Sequence, residues 1–166
     1  MMKERIIFLD IDGPMIPSYC YYMFGSGASY NRDMSPVSVV LLNNLCNKAS
    51  AKIVCKSAHN YMTSLKNNDL KTDLILNGIE EKHFHPQWRT DFGLEIIESH
   101  ARPLGRYESI LKWLKENPDV EEWVDFDDEN HTKDERLILV DFDYGIKMKE
   151  IEAAVELFCL PPTIIF

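Results

Sequence analysis

Short unbroken apolar runs alternate along the chain with longer segments whose apolar residues recur every three or four positions. The runs are Ile6-Ile7-Phe8-Leu9, Ile53-Val54-Cys55 and Leu137-Ile138-Leu139-Val140; a mixed, apolar-containing strand ending at Phe126 stands third in order among them. Such runs lack the polar alternation of a half-solvated sheet, and read as buried parallel strands. The final strand is expected over residues 136–141, and a further strand ending in a turn over 74–79. Between them, Ser35-Pro36 carries a capping hydroxyl and a first-turn proline. Val37, Val40, Leu41, Leu45 and Cys46 then follow at helical spacing. Residues 106–115 form a second helix with Ile110, Trp113 and Leu114 inward, stopped at Asn117-Pro118. Residues 149–158 form a closing helix with Ile151, Ala154, Val155 and Phe158 inward, stopped at Pro161-Pro162. Residues 163–166 are expected to pack as an extended tail. Strands alternating with helices predict an α/β fold, a Rossmann-like parallel sheet flanked by helices. At 166 residues, with neither linker nor repeat, residues 1–166 are expected to form one domain.

Two stretches interrupt the alternation. Residues 14–34 hold Pro14, Pro17 and a set of tyrosines around Gly25-Ser26-Gly27. The prolines argue against a regular helix, and the stretch reads as a flap beside a site or as an aromatic surface excursion. Residues 67–103 are the least legible. His83-Phe84-His85 has alternate-residue spacing but lacks further ligands, so a surface or substrate-edge role is expected. Trp88 and Arg89 read as a packed ring and an exposed cation, or as neighbours of a substrate.

The chemistry gathers at strand ends. Asp10 and Asp12 close the first run, with Gly13 after them; Asp127 and Asp128 close the third. Open parallel sheets bind ligands at the carboxyl ends of their strands. Adjacent carboxylates repel unless a cation or a shared proton relieves them, and Mg²⁺ favours oxygen donors of this kind. A turn with solvated aspartates is the plain alternative at either pair. Lys56 and Ser57 follow the second strand and could supply a charge and a hydroxyl to a phosphate; a helix cap is the plain reading of Ser57. Arg106 opens a helix, where a cation opposes the helix dipole, which favours an anionic partner for it. Converging on one edge, these groups suit phosphoryl transfer from a monoester, with one aspartate attacking phosphorus and another handling the proton.

Phe8-Leu9-Asp10-Ile11-Asp12-Gly13 resembles the first motif of the haloacid dehalogenase-like (HAD) superfamily. With Ile53-Val54-Cys55-Lys56-Ser57, Arg106, Asp127-Asp128 and Gly145, the chain resembles the small HAD domains of Swiss Army Knife RNA repair systems. The resemblance implies Asp10 as nucleophile and Asp12 as general acid/base. It implies Mg²⁺ held by Asp10, the Asp12 carbonyl and Asp127 or Asp128, and a phosphate held by Ser57 with Arg106 or Lys56. It further implies a Mg²⁺-dependent phosphatase with a minimal cap, open to a phosphorylated small molecule or a nucleic-acid end. Pro14 and Ala58-His59-Asn60 depart from the usual pattern. The alternative is a catalytically silent module that binds a protein or ligand.

Composition narrows the partners. A net charge of −9 disfavours broad binding to nucleic acid or to anionic membranes, and no apolar run is long enough to span a bilayer. The N-terminus lacks a secretory pattern. Cys20, Cys46, Cys55 and Cys159 show neither zinc-ligand spacing nor a disulfide framework. Reduced thiols and a cytoplasmic location are expected.

Overall fold

The computed structural model describes residues 4–24, 33–56, 70–91, 95–97, 100–102 and 104–161. Seven strands and five α-helices are described: β1 (Glu4–Leu9), α1 (Ser18–Phe24), α2 (Pro36–Ala49), β2 (Ala51–Cys55), α3 (Leu70–Leu76), β3 (Phe84–Arg89), β4 (Glu95–Ile97), β5 (His100–Arg102), α4 (Arg106–Glu116), β6 (Val120–Asp127), β7 (Leu137–Leu139) and α5 (Met148–Leu157). Five strands form one sheet in the order β3-β2-β1-β6-β7, with every neighbouring pair parallel. β4 and β5 pair separately as a small antiparallel ribbon. This is the expected α/β architecture, an open parallel sheet flanked by helices.

Alternation along the strands divides the core. Ile7, Leu9, Ile53 and Phe126 face one side, packed with residues of α2 and α5. Ile6, Phe8, Val54 and Trp123 face the other, covered by Ile110 and Trp113 of α4. The Phe8 ring meets Trp113 and Trp123 edge-on at 5.4 and 5.7 Å. Ser35 caps α2 as its sequence predicts, its hydroxyl accepting from the Ser38 N–H at 3.1 Å. Cys20, Cys46 and Cys55 are buried thiols and Cys159 is exposed; all four are free. No helix among the described residues is long and apolar enough to cross a membrane.

Several expectations are corrected. A helix does form in residues 14–34, because α1 begins immediately after Pro17, where the ring interrupts no helical hydrogen bond. The predicted strand at 74–79 is instead the end of α3 followed by a turn at Gly78, whose φ is +106°. The short apolar run there was too brief to distinguish the two. The fifth sheet strand, β3, lies inside the illegible stretch. It carries His85, and both His83 and His85 are buried rather than at a surface or substrate edge. His85 packs against Trp113 with ring centroids 4.9 Å apart. Trp88 is half-buried and Arg89 exposed. The inward face of α2 is Ser38, Val39, Leu42, Leu45, Cys46 and Ala49, while Val37 and Val40 face out. On that inward face the buried Ser38 hydroxyl accepts the Ile146 N–H at 3.2 Å. Gly25-Ser26-Gly27, Ser57, Ala58-His59-Asn60 and residues 163–166 lie outside the described residues.

Gly145 ties the last loop to the first. Its φ is +72°, and a Cβ there would stand 2.8 Å from Ser38 Oγ and 3.1 Å from the Pro14 carbonyl. Gly145→Ala is expected to lower stability by about 2–4 kcal/mol, from left-handed strain and overpacking. Urea denaturation measures the loss.

Candidate active site

The carboxyl ends of β1, β2 and β6 lie side by side, with Leu9 opposite both Cys55 and Phe126. The Asp10 N–H donates to the Phe126 carbonyl at 3.0 Å, and the Lys56 N–H to the Leu9 carbonyl at 3.0 Å. Alternation then decides the side. Phe8, Val54 and Trp123 face α4, so Asp10, Lys56, Asp125 and Asp127 share that face. All four are essentially inaccessible to solvent.

Arg106 enters from the first residue of α4. Gly105 starts this helix, and the Glu108 side chain accepts the Gly105 N–H at 3.2 Å. The Arg106 guanidinium donates from Nη1 to Asp10 Oδ2 at 2.7 Å and to Asp127 Oδ2 at 3.1 Å. Its Nε lies 3.4 Å from Glu129 Oε2. The cation that sits awkwardly against its helix dipole is thus clamped by carboxylates from two strands.

Asp12 and Gly13 begin the loop beyond β1. Gly13 adopts φ +83°, and its N–H donates to the Ile16 carbonyl at 3.1 Å. A Cβ on Gly13 would stand 2.6 Å from Asp128 Cβ. The glycine of the first acidic pair is therefore the seat of the second pair's last carboxylate. Asp12 is half-buried, and the Tyr21 hydroxyl of α1 lies 3.5 Å from its Oδ1.

Lys56, expected near a phosphate, turns its ammonium inward. It lies 3.0 Å from Asp125 Oδ1 and donates a short hydrogen bond to Asp127 Oδ2. His131 closes this inner cluster, with Nε2 3.0 Å from Asp125 Oδ2 and 3.3 Å from Asp127 Oδ2. Asp125 and His131 were not singled out from sequence. Asp125 was legible in principle, two residues before Asp127 in one strand; His131 sits in a loop with no periodic signal.

The electrostatics separate the carboxylates. Burial, reinforced by Asp127, raises the Asp10 pKa, against the lowering charges of Lys56 and Arg106. Burial, Asp10 and Asp127 push Asp128 up to about 6. Burial would also raise Asp127, but His131, Lys56 and the Glu129 N–H hold it well below the usual carboxylate range. Arg106 is raised further, because Asp10 and Asp127 outweigh its burial.

Among the described residues, two groups bring ligand atoms within 4.8 Å of one another: Asp10, Asp127 and Asp128, and Asp125, Asp127 and His131. The second already surrounds the Lys56 ammonium. Its histidine is pushed up to about 9, because Asp125 and Asp127 outweigh burial, and the ammonium at 3.0 Å from Asp125 already supplies the cation these carboxylates hold. That group does not suit a metal. The first offers only carboxylate oxygens, and burial together with the neighbouring carboxylates raises the pKa of Asp10 and Asp128. This donor set fits Mg²⁺. Within it Asp127 is heavily engaged: Oδ1 accepts the Glu129 N–H at 2.8 Å, and Oδ2 meets Lys56, Arg106 and His131.

The raised His131 pKa has a sign for stability. The folded value of about 9 exceeds the ordinary value of about 6.5, so the stabilisation is full below about 6.5 and is lost as pH rises toward 9. Urea denaturation of metal-free protein is expected to show a decline across that window. His131→Gln is expected to remove it.

Over residues 6–151 the sequence matches the model of a family described as HAD domain in Swiss Army Knife RNA repair proteins. No curated protein and no solved structure matches the chain. The matched span runs from β1 into α5 and includes Asp10, Asp12, Arg106, Asp127 and Asp128. With the parallel sheet and the acidic edge it carries, the chain belongs to the HAD domain family of Swiss Army Knife RNA repair proteins.

Proposed function

We propose that the protein is a Mg²⁺-dependent phosphomonoester hydrolase working through an aspartyl-phosphate on Asp10. The observation that carries this reading is the buried Asp10 carboxylate, held through Oδ2 by Arg106 at 2.7 Å beside an oxygen-only ligand set. Asp10 Oδ1 attacks phosphorus as the ester P–O bond breaks, and Asp12 gives its proton to the leaving oxygen. Asp12 then takes a proton from water, which attacks phosphorus and releases phosphate from Asp10. Arg106 opposes the rise that burial imposes on Asp10 and aims its carboxylate. Ser57 hydrogen-bonds the phosphate, and Lys56 acts from behind Asp127. The Tyr21 hydroxyl steadies the Asp12 side chain.

Mg²⁺ would be held by Asp10, the Asp12 carbonyl and Asp128, with Asp127 serving chiefly as the anchor of the surrounding cations. When bound, it neutralises charge on the phosphoryl oxygens. Asp128 is favoured over Asp127 because its carboxyl is pushed up to about 6, where an arriving cation gains most. The family description supports a nucleotide or nucleic-acid end as substrate. The net charge of −9 favours a contact limited to that end over broad binding along a strand.

Asp10→Asn is expected to lower turnover of an aryl phosphate by at least about 10³-fold while circular dichroism stays unchanged. Activity retained in that variant overturns the nucleophile assignment. Chelation is expected to abolish turnover and added Mg²⁺ to restore it. Asp128→Asn is expected to raise the Mg²⁺ concentration for half-activation by about tenfold or more, the size of effect one lost charge produces at close range.

A further inference from the structure

Lys56 and His131 have no evident need to be where they are for packing. The Lys56 side chain is fully buried, and an apolar residue would fill the same space without carrying a charge out of water. Buried ion clusters are weak sources of stability, because desolvation offsets much of the attraction. What distinguishes this one is its neighbour. Asp127 receives Lys56 and His131 on the same oxygen that receives Arg106, and Arg106 holds Asp10.

Without Lys56 and His131, four carboxylates (Asp10, Asp125, Asp127 and Asp128) would face Arg106 alone across this part of the edge. Such a surplus would bind a divalent cation tightly and repel a phosphate. It would also draw the guanidinium toward Asp127 and away from Asp10. With Lys56 in place, Asp125 and Asp127 are neutralised from inside the fold, at 3.0 Å in the case of Asp125. Arg106 and the metal ligands are then left for the reacting side.

We propose that Lys56, supported by His131, is a positioning residue: an internal counter-charge that sets the balance between divalent-cation and phosphate binding at the Asp10 edge. The inference rests on the hydrolase reading for its purpose, but ion binding alone tests it.

Calorimetry with MgCl₂, and separately with inorganic phosphate, is the experiment, run on wild type, Lys56→Met, Asp125→Asn and the double variant. Lys56→Met removes a positive charge and is expected to bind Mg²⁺ about tenfold tighter and phosphate about tenfold weaker. Asp125→Asn removes a negative charge and is expected to shift both affinities the opposite way. The double variant restores the balance and is expected to return both toward wild type. A merely structural role would weaken both ions together, and the second substitution would deepen the loss. Changes of the same sign for both ions, changes under twofold, or a double variant no nearer wild type than Lys56→Met overturn the proposal, as does a wild type that binds neither ion. If Lys56→Met does not fold, the opposite-sign shifts of Asp125→Asn decide the matter. Wild-type hydrolysis that depends on Asp10, combined with unshifted ion affinities in the variants, sinks this inference and leaves the hydrolase reading standing.

Discussion

Like charges held close together away from water dominate this molecule. Parallel pairing of β1 with β6 sets Leu9 opposite Phe126, so the residues just beyond them meet at one edge. Asp10, Asp125 and Asp127 are all buried there, and Asp128 stands beside them. In a poorly polarisable interior their mutual repulsion is little screened. Cations arriving from other elements offset it: Lys56 from the end of β2, Arg106 from the start of α4, and His131 from the loop after β6.

The cations are not equivalent. Arg106 bridges the two strands from the solvent side: its Nη1 donates to both Asp10 and Asp127, while its Nε faces Glu129. Lys56 and His131 lie on the inner side, between Asp125 and Asp127. Asp127 is thereby kept ionised while Asp128, lacking such partners, is pushed up to about 6. Two adjacent aspartates of one strand end acquire opposite characters from which way each points. The two loop glycines serve the same assembly. Gly13 leaves room for Asp128, and Gly145 lets the loop after β7 close against Pro14 and Ser38 behind the first acidic pair.

Much of this was legible from the order of residues. The runs ending in Asp10 and Lys56 are strands because their apolar cores are unbroken, β6 is a more mixed strand with Asp125 inside it, and the positions of the charged ends follow from parallel pairing. The cap of α2 and the inward stripes of α4 and α5 were legible for the same local reasons, although the inward face of α2 is turned from the one its valines suggest. α3, β3 and the buried histidines were not. Their segments are short and mixed, so neighbours in space rather than periodicity decide their state. Ser57 had a clear sequence position but lies outside the described residues.

By itself the sequence determined the class of fold, the edge at which its chemistry collects and the family to which the chain belongs, because strand and helix periods are local properties and parallel strands end together. Only the tertiary structure decided which cation meets which carboxylate. That choice depends on side-chain direction and burial: alternation turned Lys56 toward Asp125, the start of α4 brought Arg106 over Asp10, and a loop without any periodic signal delivered His131. Coulomb energy varies steeply with distance and depth, and neither can be read from spacing along the chain.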